Sequence, residues 1–210
     1  MRDIFSTPSD EASLRGRSDG PELLKAWAGT SLAFAIYLVG GQVFNAFFFY
    51  GLAIAALTTG IGFLLHELAH RVVARRFGAE AHFVANNPWL LISMAIAFLG
   101  VFIAAPGAVW HRGYLTARQS GLIALAGPVT NMVLAVVFLA ASYTVPVRAE
   151  VLGISLDDVF RVGYRINAWL GLFNMIPAGP FDGAKVLAWD WRVFGVTVAI
   201  GLLLTFGIRV

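Results

Sequence analysis

The chain contains no cysteine among its 210 residues. This absence excludes disulfide bonds, thiolate metal sites and a cysteine nucleophile. A metal site in this protein would therefore have to be built from histidine and carboxylate side chains. The sequence holds only 4 histidines, so such a site can be sought among few residues.

Charge is scarce as well, since 13% of the residues are charged and 59% are hydrophobic. No Asp, Glu, Lys or Arg occurs between Lys25 and Glu67. A membrane-spanning helix needs roughly 20 apolar residues, so this stretch is long enough for two crossings. Backbone groups in lipid have no water to bind, so spanning segments must be helical. The composition predicts a multi-pass protein of the cell membrane, with the lipid bilayer as its surroundings.

The net charge is +3, but the basic residues lie at the ends of apolar runs. They do not form the clustered patch that is typical of nucleic-acid binding. We therefore interpret them as signals of membrane topology and expect no nucleic-acid partner.

The order of the apolar runs predicts an all-α, polytopic transmembrane bundle of about five to six spans. Residues 1–22 are mixed in charge and rich in Ser, Gly and Pro, so we expect a disordered cytoplasmic tail before one transmembrane domain at residues 23–210. A short extended or re-entrant segment is expected at residues 78–87. The apolar runs lie at about Leu23–Val39, Val43–Phe77, Trp89–Trp110, Gln119–Val147, Ile166–Phe181 and Val193–Ile208.

The distribution of arginines predicts the orientation of these segments. Basic residues before Leu23 and again at Arg71, Arg75 and Arg76 place both ends of the first helix pair in the cytoplasm. The run Trp89–Trp110 is long enough to cross, but a crossing would invert the later helices. We expect a re-entrant or hairpin segment there, and an active site nearer the cytoplasmic face.

The stretch FLLHELAHRVVARR contains the first candidate site. His66 and His70 are four residues apart, so on a helix their imidazoles lie on one face and can bind one ion. In a His-Glu-x-x-His motif the glutamate, here Glu67, acts as the general base and does not bind the metal. Three ionisable groups on one turn of an apolar helix need partners, which favours a metal site over a pair of core histidines.

A catalytic zinc site normally has three protein ligands, so a third must come from elsewhere. His82, His111 and Glu80 lie near segment ends, where surface or structural roles are expected. Asp182 is different because it follows an apolar segment broken by Pro177 and Pro180. Such a break is tolerated where it lines a cavity, and a carboxylate there needs a cation. The remaining carboxylates considered lie in the tail or in a polar loop: Asp3, Asp10, Glu11, Asp19, Glu22, Asp157 and Asp158.

Three ordered motifs between about Gly60 and Lys185 resemble those of the site-2 protease family of intramembrane zinc metalloproteases. They are His-Glu-Leu-Ala-His at 66–70, Asn-Met-Ile-Pro-Ala-Gly-Pro-Phe-Asp-Gly at 174–183 and Gly-Pro-Val-Thr-Asn at 127–131. The resemblance implies that His66, His70 and Asp182 hold Zn²⁺ and that Glu67 is the general base. It also implies that the substrate is a transmembrane protein, cleaved in or near its membrane segment.

Two asparagines within these motifs keep two interpretations open. Asn131 and Asn174 are predicted to donate hydrogen bonds to the tetrahedral intermediate or to the substrate backbone. Equally, they are suited to hydrogen bonding between helices of the bundle. For Gly127 and Pro128 we expect the close approach of helices that small residues allow.

Other functions are compatible with parts of the pattern. A divalent-metal transporter or metal-binding membrane protein would use the same His/Asp cluster, but would be expected to carry further ligands along a pathway. A different membrane metalloprotease would take a glutamate as third ligand, and Glu80 and Glu150 are poorly placed for it. A catalytically inactive homologue is disfavoured because His66, Glu67, His70 and Asp182 are all present.

Overall fold

A computed structural model describes residues 19–103, 107–145, 149–151 and 153–208, so the predicted tail at 1–18 lies outside the described residues. The described chain is mostly helical, as expected. The helices are α1 (Asp19–Leu38), α2 (Ala46–Ala55), α3 (Ile61–Arg76), α4 (Asn87–Ala97), α5 (Ala117–Thr144), α6 (Leu156–Phe173), α7 (Asp182–Trp189) and α8 (Trp191–Leu202). The strands are β1 (Glu80–Ala85), β2 (Gly107–Arg112), β3 (Glu150–Val151) and β4 (Ile154–Ser155).

The first predicted helix begins earlier than its apolar pattern suggests. It starts at Asp19, so residues 19–22 are helical and do not belong to a disordered tail. It ends at Leu38, where Gly40 and Gly41 adopt positive φ angles of 57° and 79° that favour glycine. The turn that the sequence predicts at these glycines is therefore present.

One helical segment runs from Ala46 to Arg76 and carries both candidate histidines. Its two α-helical parts, α2 and α3, are joined by a π-helical turn at Ala56–Gly60. The indole Nε1 of Trp27 donates to the Ala56 carbonyl at this turn, over 3.2 Å. Arg75 and Arg76 lie in the last turn of α3, where cations stabilise a helix end.

The run Trp89–Trp110 does not form one helix. Its first part lies in α4, and its last part lies in β2, which pairs antiparallel with β1 from Glu80↔Arg112 to Ala85↔Gly107. The extended segment expected after the histidine helix is thus one half of a two-stranded sheet. Apolar side chains of α1, α3, β1 and α4 pack together beneath it, namely Leu23, Ala26, Phe63, Phe83, Ala85 and Leu90.

Helix α5 is central, because it packs most extensively against α6, α3 and α7. Its small and apolar residues form a core with α6 and α7 that includes Ala124, Met132, Ala135, Tyr164, Ala168 and Val186. This packing sets α5 directly against the histidine face of α3 and the start of α7.

Two described helical segments, Ala46–Arg76 and Ala117–Thr144, are long and apolar enough to cross a membrane. The predicted count of five to six spans is not supported. One apolar run is divided between a helix and a strand, and the run from Ile166 leaves the helix at Phe173 and continues as turns up to Asp182. Asn87–Ala97 and Trp191–Gly207 are shorter apolar helices.

Candidate metal centre

His66 and His70 lie one turn apart on the buried face of α3. Both residues are almost fully enclosed, at 5% and 7% exposure. The two Nε2 atoms are 2.9 Å apart, so both rings point at the same place. The predicted pairing of the two imidazoles on one helix face is therefore present.

Asp182 reaches the same point from the first turn of α7. Its Oδ2 atom lies 3.2 Å from Nε2 of His66 and 3.2 Å from Nε2 of His70. The chain returns to the histidines through a tight loop, in which the Gly183 amide donates to the Asn174 carbonyl over 2.8 Å. A Cβ on Gly183 would overlap the Met175 carbonyl, so this close return requires glycine.

The outer nitrogens of both rings are held by acceptors. Nδ1 of His70 lies 2.7 Å from the Ile123 carbonyl oxygen, and Nδ1 of His66 lies 2.6 Å from Oδ1 of Asn131. Since these oxygens only accept, each Nδ1 carries the hydrogen and donates it. Each Nε2 is then left with its lone pair, as a metal-binding imidazole requires.

This arrangement fits a zinc ion. Two imidazole lone pairs and a carboxylate oxygen converge without a proton between them, so they repel one another unless a cation lies among them. Their separations of 2.9 to 3.2 Å are close to the edge of about 3.3 Å expected for a tetrahedron with ligand distances of about 2.0 to 2.1 Å. Among the described residues these three form the group of His and carboxylate side chains suited to a metal.

Helix α5 closes one side of the cluster with its backbone. A Cβ on Gly127 would overlap Nε2 of both histidines. The absence of a side chain there lets α5 approach near enough for Asn131 and the Ile123 carbonyl to reach the rings. The predicted role of Gly127 in close helix packing is confirmed, and it extends to the histidines themselves.

A cavity of about 160 Å³ opens at the cluster. Glu67, which is only 7% exposed, lines it together with the three ligand candidates. A water molecule occupies about 30 Å³ in the liquid, so several waters fit beside the carboxylate. The other lining residues include Phe63, Gly107, Val109, Asn174, Phe181 and Lys185.

The known proteins that are similar to this chain are all named as zinc metalloproteases. The chain is 39% identical over 156 residues to MJ0611 of Methanocaldococcus jannaschii, which is named as a zinc metalloprotease; the match covers 72% of this chain and 78% of the relative. The chain belongs to the site-2 protease-like family of zinc metalloproteases. No protein-family profile matches it, and no solved structure matches it significantly.

Two further members of this family are similar over most of the same region. YwhC of Bacillus subtilis is 30% identical over 162 residues, covering 68% of this chain and 73% of the relative. Rip3 of Mycobacterium tuberculosis is 35% identical over 141 residues, covering 66% of this chain but only 31% of the relative. Both are named as zinc metalloproteases, which agrees with the zinc geometry of the cluster.

The two asparagines of the family motifs have different surroundings. Asn131 is fully buried, and its amide Nδ2 donates to the Gly62 carbonyl at 3.2 Å and to Oδ1 of Asn167 at 2.9 Å. Both of its amide hydrogens are thus engaged, which favours the interpretation as bonding between helices. Asn174 lines the cavity and donates one amide hydrogen to the Leu170 carbonyl at 3.0 Å.

Of the alternative ligands that the sequence offers, His82 and Glu80 do not join the cluster in this chain. Nδ1 of His82 pairs with Oδ1 of Asp19 at 3.1 Å, and Glu80 is exposed on β1. The side chain of His111 lies outside the described residues. The structure therefore brings together His66, His70 and Asp182, with Glu67 on the same cavity.

Sequence reasoning missed three groups: two that hold the site and one that holds the helix carrying the histidines. Asn167 holds Asn131, the Ile123 carbonyl holds His70, and Asp19 anchors the far end of α3 through Arg71. Only Asn167 carries a signal in the sequence, as an amide within an apolar run. A buried amide among apolar side chains needs a polar partner, which the folded chain supplies.

Proposed function

We propose that this protein is an intramembrane zinc metalloprotease that hydrolyses a peptide bond in or near the transmembrane segment of a membrane-protein substrate. The observation that carries the proposal is the convergence of His66, His70 and Asp182 beside Glu67. The two histidines and Glu67 lie on a helical segment that is long and apolar enough to cross a membrane. Membership of a family of zinc metalloproteases supports the reaction type.

The position of the cluster along its helix supports cleavage inside the bilayer near one face. His66 precedes the basic group Arg71, Arg75 and Arg76 on α3. At 1.5 Å per residue, His66 lies roughly 8 Å along the helix from Arg71 and roughly 14 Å from Arg75. We place the arginines at the cytoplasmic face of a multi-pass protein, by the positive-inside rule.

Glu67 is proposed as the general base. When bound, zinc polarises the scissile carbonyl and acidifies water, which is the chemistry the ligand set is suited to provide. Glu67 accepts the proton of the attacking water and passes it to the leaving amine. Its burial beside the cavity places the carboxylate at the edge of a small volume that has room for several waters.

Asn174 is proposed as a donor to the oxyanion or to the substrate backbone. One of its amide hydrogens is bound to the Leu170 carbonyl, which orients the side chain, and the residue lines the cavity. Its second amide hydrogen can therefore be donated to the negative charge that develops on the carbonyl oxygen during the reaction. Asn131, whose hydrogens are already engaged, is given no such role.

A substrate helix must unwind before hydrolysis, because the carbonyl of a helical amide is already hydrogen-bonded. An unwound strand can bind by pairing with an exposed sheet edge. Gly107 and Val109 of β2 line the cavity, so we propose β2 as the strand with which an unwound substrate pairs.

A divalent-metal transporter remains the rival function with the same cluster. It would need further ligands along a pathway. Among the described residues the only group suited to a metal is His66, His70 and Asp182. This gives the rival less support than the protease.

Cleavage of a single-pass model substrate in liposomes tests the proposal. The wild-type protein should cut within or near the membrane segment, lose activity with a chelator and regain it with zinc. Glu67→Gln should keep stoichiometric zinc but cut at least about 100-fold more slowly, because the general base is lost.

Two outcomes would contradict the assignment. Wild-type rates in Glu67→Gln would show that Glu67 is not the base. Zinc flux across the liposome membrane without peptide cleavage would favour the transporter.

A further inference from the structure

We propose that Asn167 is a positioning residue for the metal centre and that it acts through Asn131. Asn167 determines which ring nitrogen of His66 carries the proton, and so keeps the Nε2 lone pair free for the metal. This inference rests on the proposed metal centre and adds to it a residue outside the three family motifs.

Asn167 lies fully buried in α6, within the apolar run Ile166–Phe181. Its Nδ2 donates to the Gly163 carbonyl, one turn earlier, over 2.9 Å. Its Oδ1 accepts from Nδ2 of Asn131 over 2.9 Å. Both ends of the amide are therefore engaged, and the side chain bridges α6 and α5.

The hydrogen bonds form a chain with one possible direction. The Gly163 carbonyl only accepts, so Asn167 must turn its NH₂ group toward it and its oxygen toward Asn131. Asn131 must then present NH₂ to Asn167 and oxygen to His66. Nδ1 of His66 must donate to that oxygen, which leaves its Nε2 unprotonated beside Asp182.

The reverse orientation of the Asn131 amide would prevent His66 from binding a metal. An NH₂ group facing Nδ1 of His66 would require that nitrogen to accept, and the ring hydrogen would move to Nε2. A protonated Nε2 cannot bind a metal. The orientation of the buried Asn131 amide therefore decides whether Nε2 of His66 can bind a metal.

Asn131 has a second anchor, and the two hydrogen bonds differ in length. Its bond to the Gly62 carbonyl is 3.2 Å long, whereas its bond to Asn167 is 2.9 Å long. Gly62 also makes room for the amide, since a Cβ there would overlap Oδ1 of Asn167. Asn167 is thus the closer of the two groups that orient Asn131.

The first test measures zinc binding in full-length Asn167→Leu, by competition with a chromophoric chelator. Leucine keeps the branching and the number of side-chain heavy atoms and removes both hydrogen bonds. We expect zinc affinity to fall about ten-fold, at the lower end of the 10–100-fold loss typical of groups that orient metal ligands. Thr197→Val is the matched control: its hydroxyl donates to the Val193 carbonyl one turn earlier in α8, away from the site, and zinc affinity should not change.

The second readout is the position of the proton on His66, from ¹⁵N NMR of the metal-free, histidine-labelled protein. The wild type should carry it on Nδ1, and Asn167→Leu should shift a measurable fraction to Nε2. A merely structural role would lower the unfolding temperature without this shift. If Asn167→Leu does not fold, Gly62→Ala, which displaces the Asn167 amide, should produce the same two changes.

A double variant tests whether Asn167 acts through Asn131. Asn131→Leu/Asn167→Leu should bind zinc no more weakly than Asn131→Leu, because the second change has nothing left to orient. The inference is overturned if Asn167→Leu binds zinc within two-fold of wild type with the proton retained on Nδ1, or if the two losses multiply. Absence of zinc-dependent cleavage in the wild type would instead refute the proposed function and leave these binding measurements valid.

Discussion

Helix α3 contributes to two clusters in which histidine meets aspartate, and they differ in how the charge is balanced. In the metal centre, Asp182 faces His66 and His70. Near the end of the helix, Asp19 faces Arg71, Arg75 and His82, which we call the arginine cluster. Asp19 is the more buried of the two carboxylates, at 4% side-chain exposure against 13%.

In the arginine cluster each carboxylate oxygen already has a partner. Nε of Arg71 lies 2.9 Å from Oδ2 of Asp19, and Nδ1 of His82 lies 3.1 Å from Oδ1. In the metal centre the ion-pair partners found for Asp182 within the described chain are the two histidines, whose Nε2 atoms carry lone pairs. The comparison teaches that histidine and aspartate together do not define a metal site. What distinguishes the metal centre is that its carboxylate meets imidazole lone pairs, whereas Asp19 meets the guanidinium groups of arginines.

The largest effect is expected from Asp182→Asn, which removes the negative charge of the metal centre at constant size. Zinc affinity should fall by more than the 10–100-fold that a change outside the ligand shell costs, and cleavage should be lost. Metal analysis and chelator competition measure the first effect, and the liposome assay measures the second. A variant that keeps wild-type zinc affinity would show that Asp182 is not a ligand and would remove the contrast with Asp19.

A smaller effect is expected from Gly127→Ala, which leaves all ligands in place but adds a Cβ against both Nε2 atoms. The rings or α5 must move, so zinc affinity should fall about ten-fold or more by analogy with other groups that orient ligands. Gly195→Ala is the control, because a Cβ there meets nothing within 4 Å. Equal zinc affinity in the two variants would contradict the close approach of α5.

The smallest effect on the metal is expected from Asp19→Asn in the arginine cluster. The free energy of unfolding should fall by about 1 to 3 kcal/mol, because Arg71 and Arg75 lose the charge with which they pair and partly buried donors are left uncompensated. Zinc affinity should stay within two-fold of wild type. Lys25→Gln, which breaks an exposed pair with Glu22 at 3.0 Å, should change stability by less than about 1 kcal/mol. Loss of zinc in Asp19→Asn would mean that the two clusters are coupled along α3.

The local part of the site could be predicted from the sequence. His66, Glu67 and His70 lie within two turns of one helix, so their spacing alone places them on neighbouring faces. Asp182 could be reached because few carboxylates occur in apolar surroundings. Asp190, a carboxylate outside the tail and the polar loop, is engaged elsewhere, because it caps α8 by accepting from the amides of Arg192 and Val193.

The other parts of the site and of the fold depend on contacts between segments that are distant in sequence. The periodic pattern of apolar residues does not reveal such contacts. The partners of the ring nitrogens, Ile123 and Asn131, are determined by how α5 packs on α3. The burial of Asp19 depends on a helix that begins before its apolar pattern does. Hydropathy also cannot distinguish a spanning helix from a helix followed by a strand, as in the run Trp89–Trp110.

The π-helical turn at Ala56–Gly60 changes the angular phase of the segment that carries the histidines. An α-helix advances about 100° per residue, so the one extra residue of a π turn rotates everything after it by about that angle relative to an uninterrupted helix. The side of α2 that faces outward therefore does not continue as the outward side of α3. Removing one residue from this turn would turn His66 and His70 away from Asp182 while leaving every ligand in the chain.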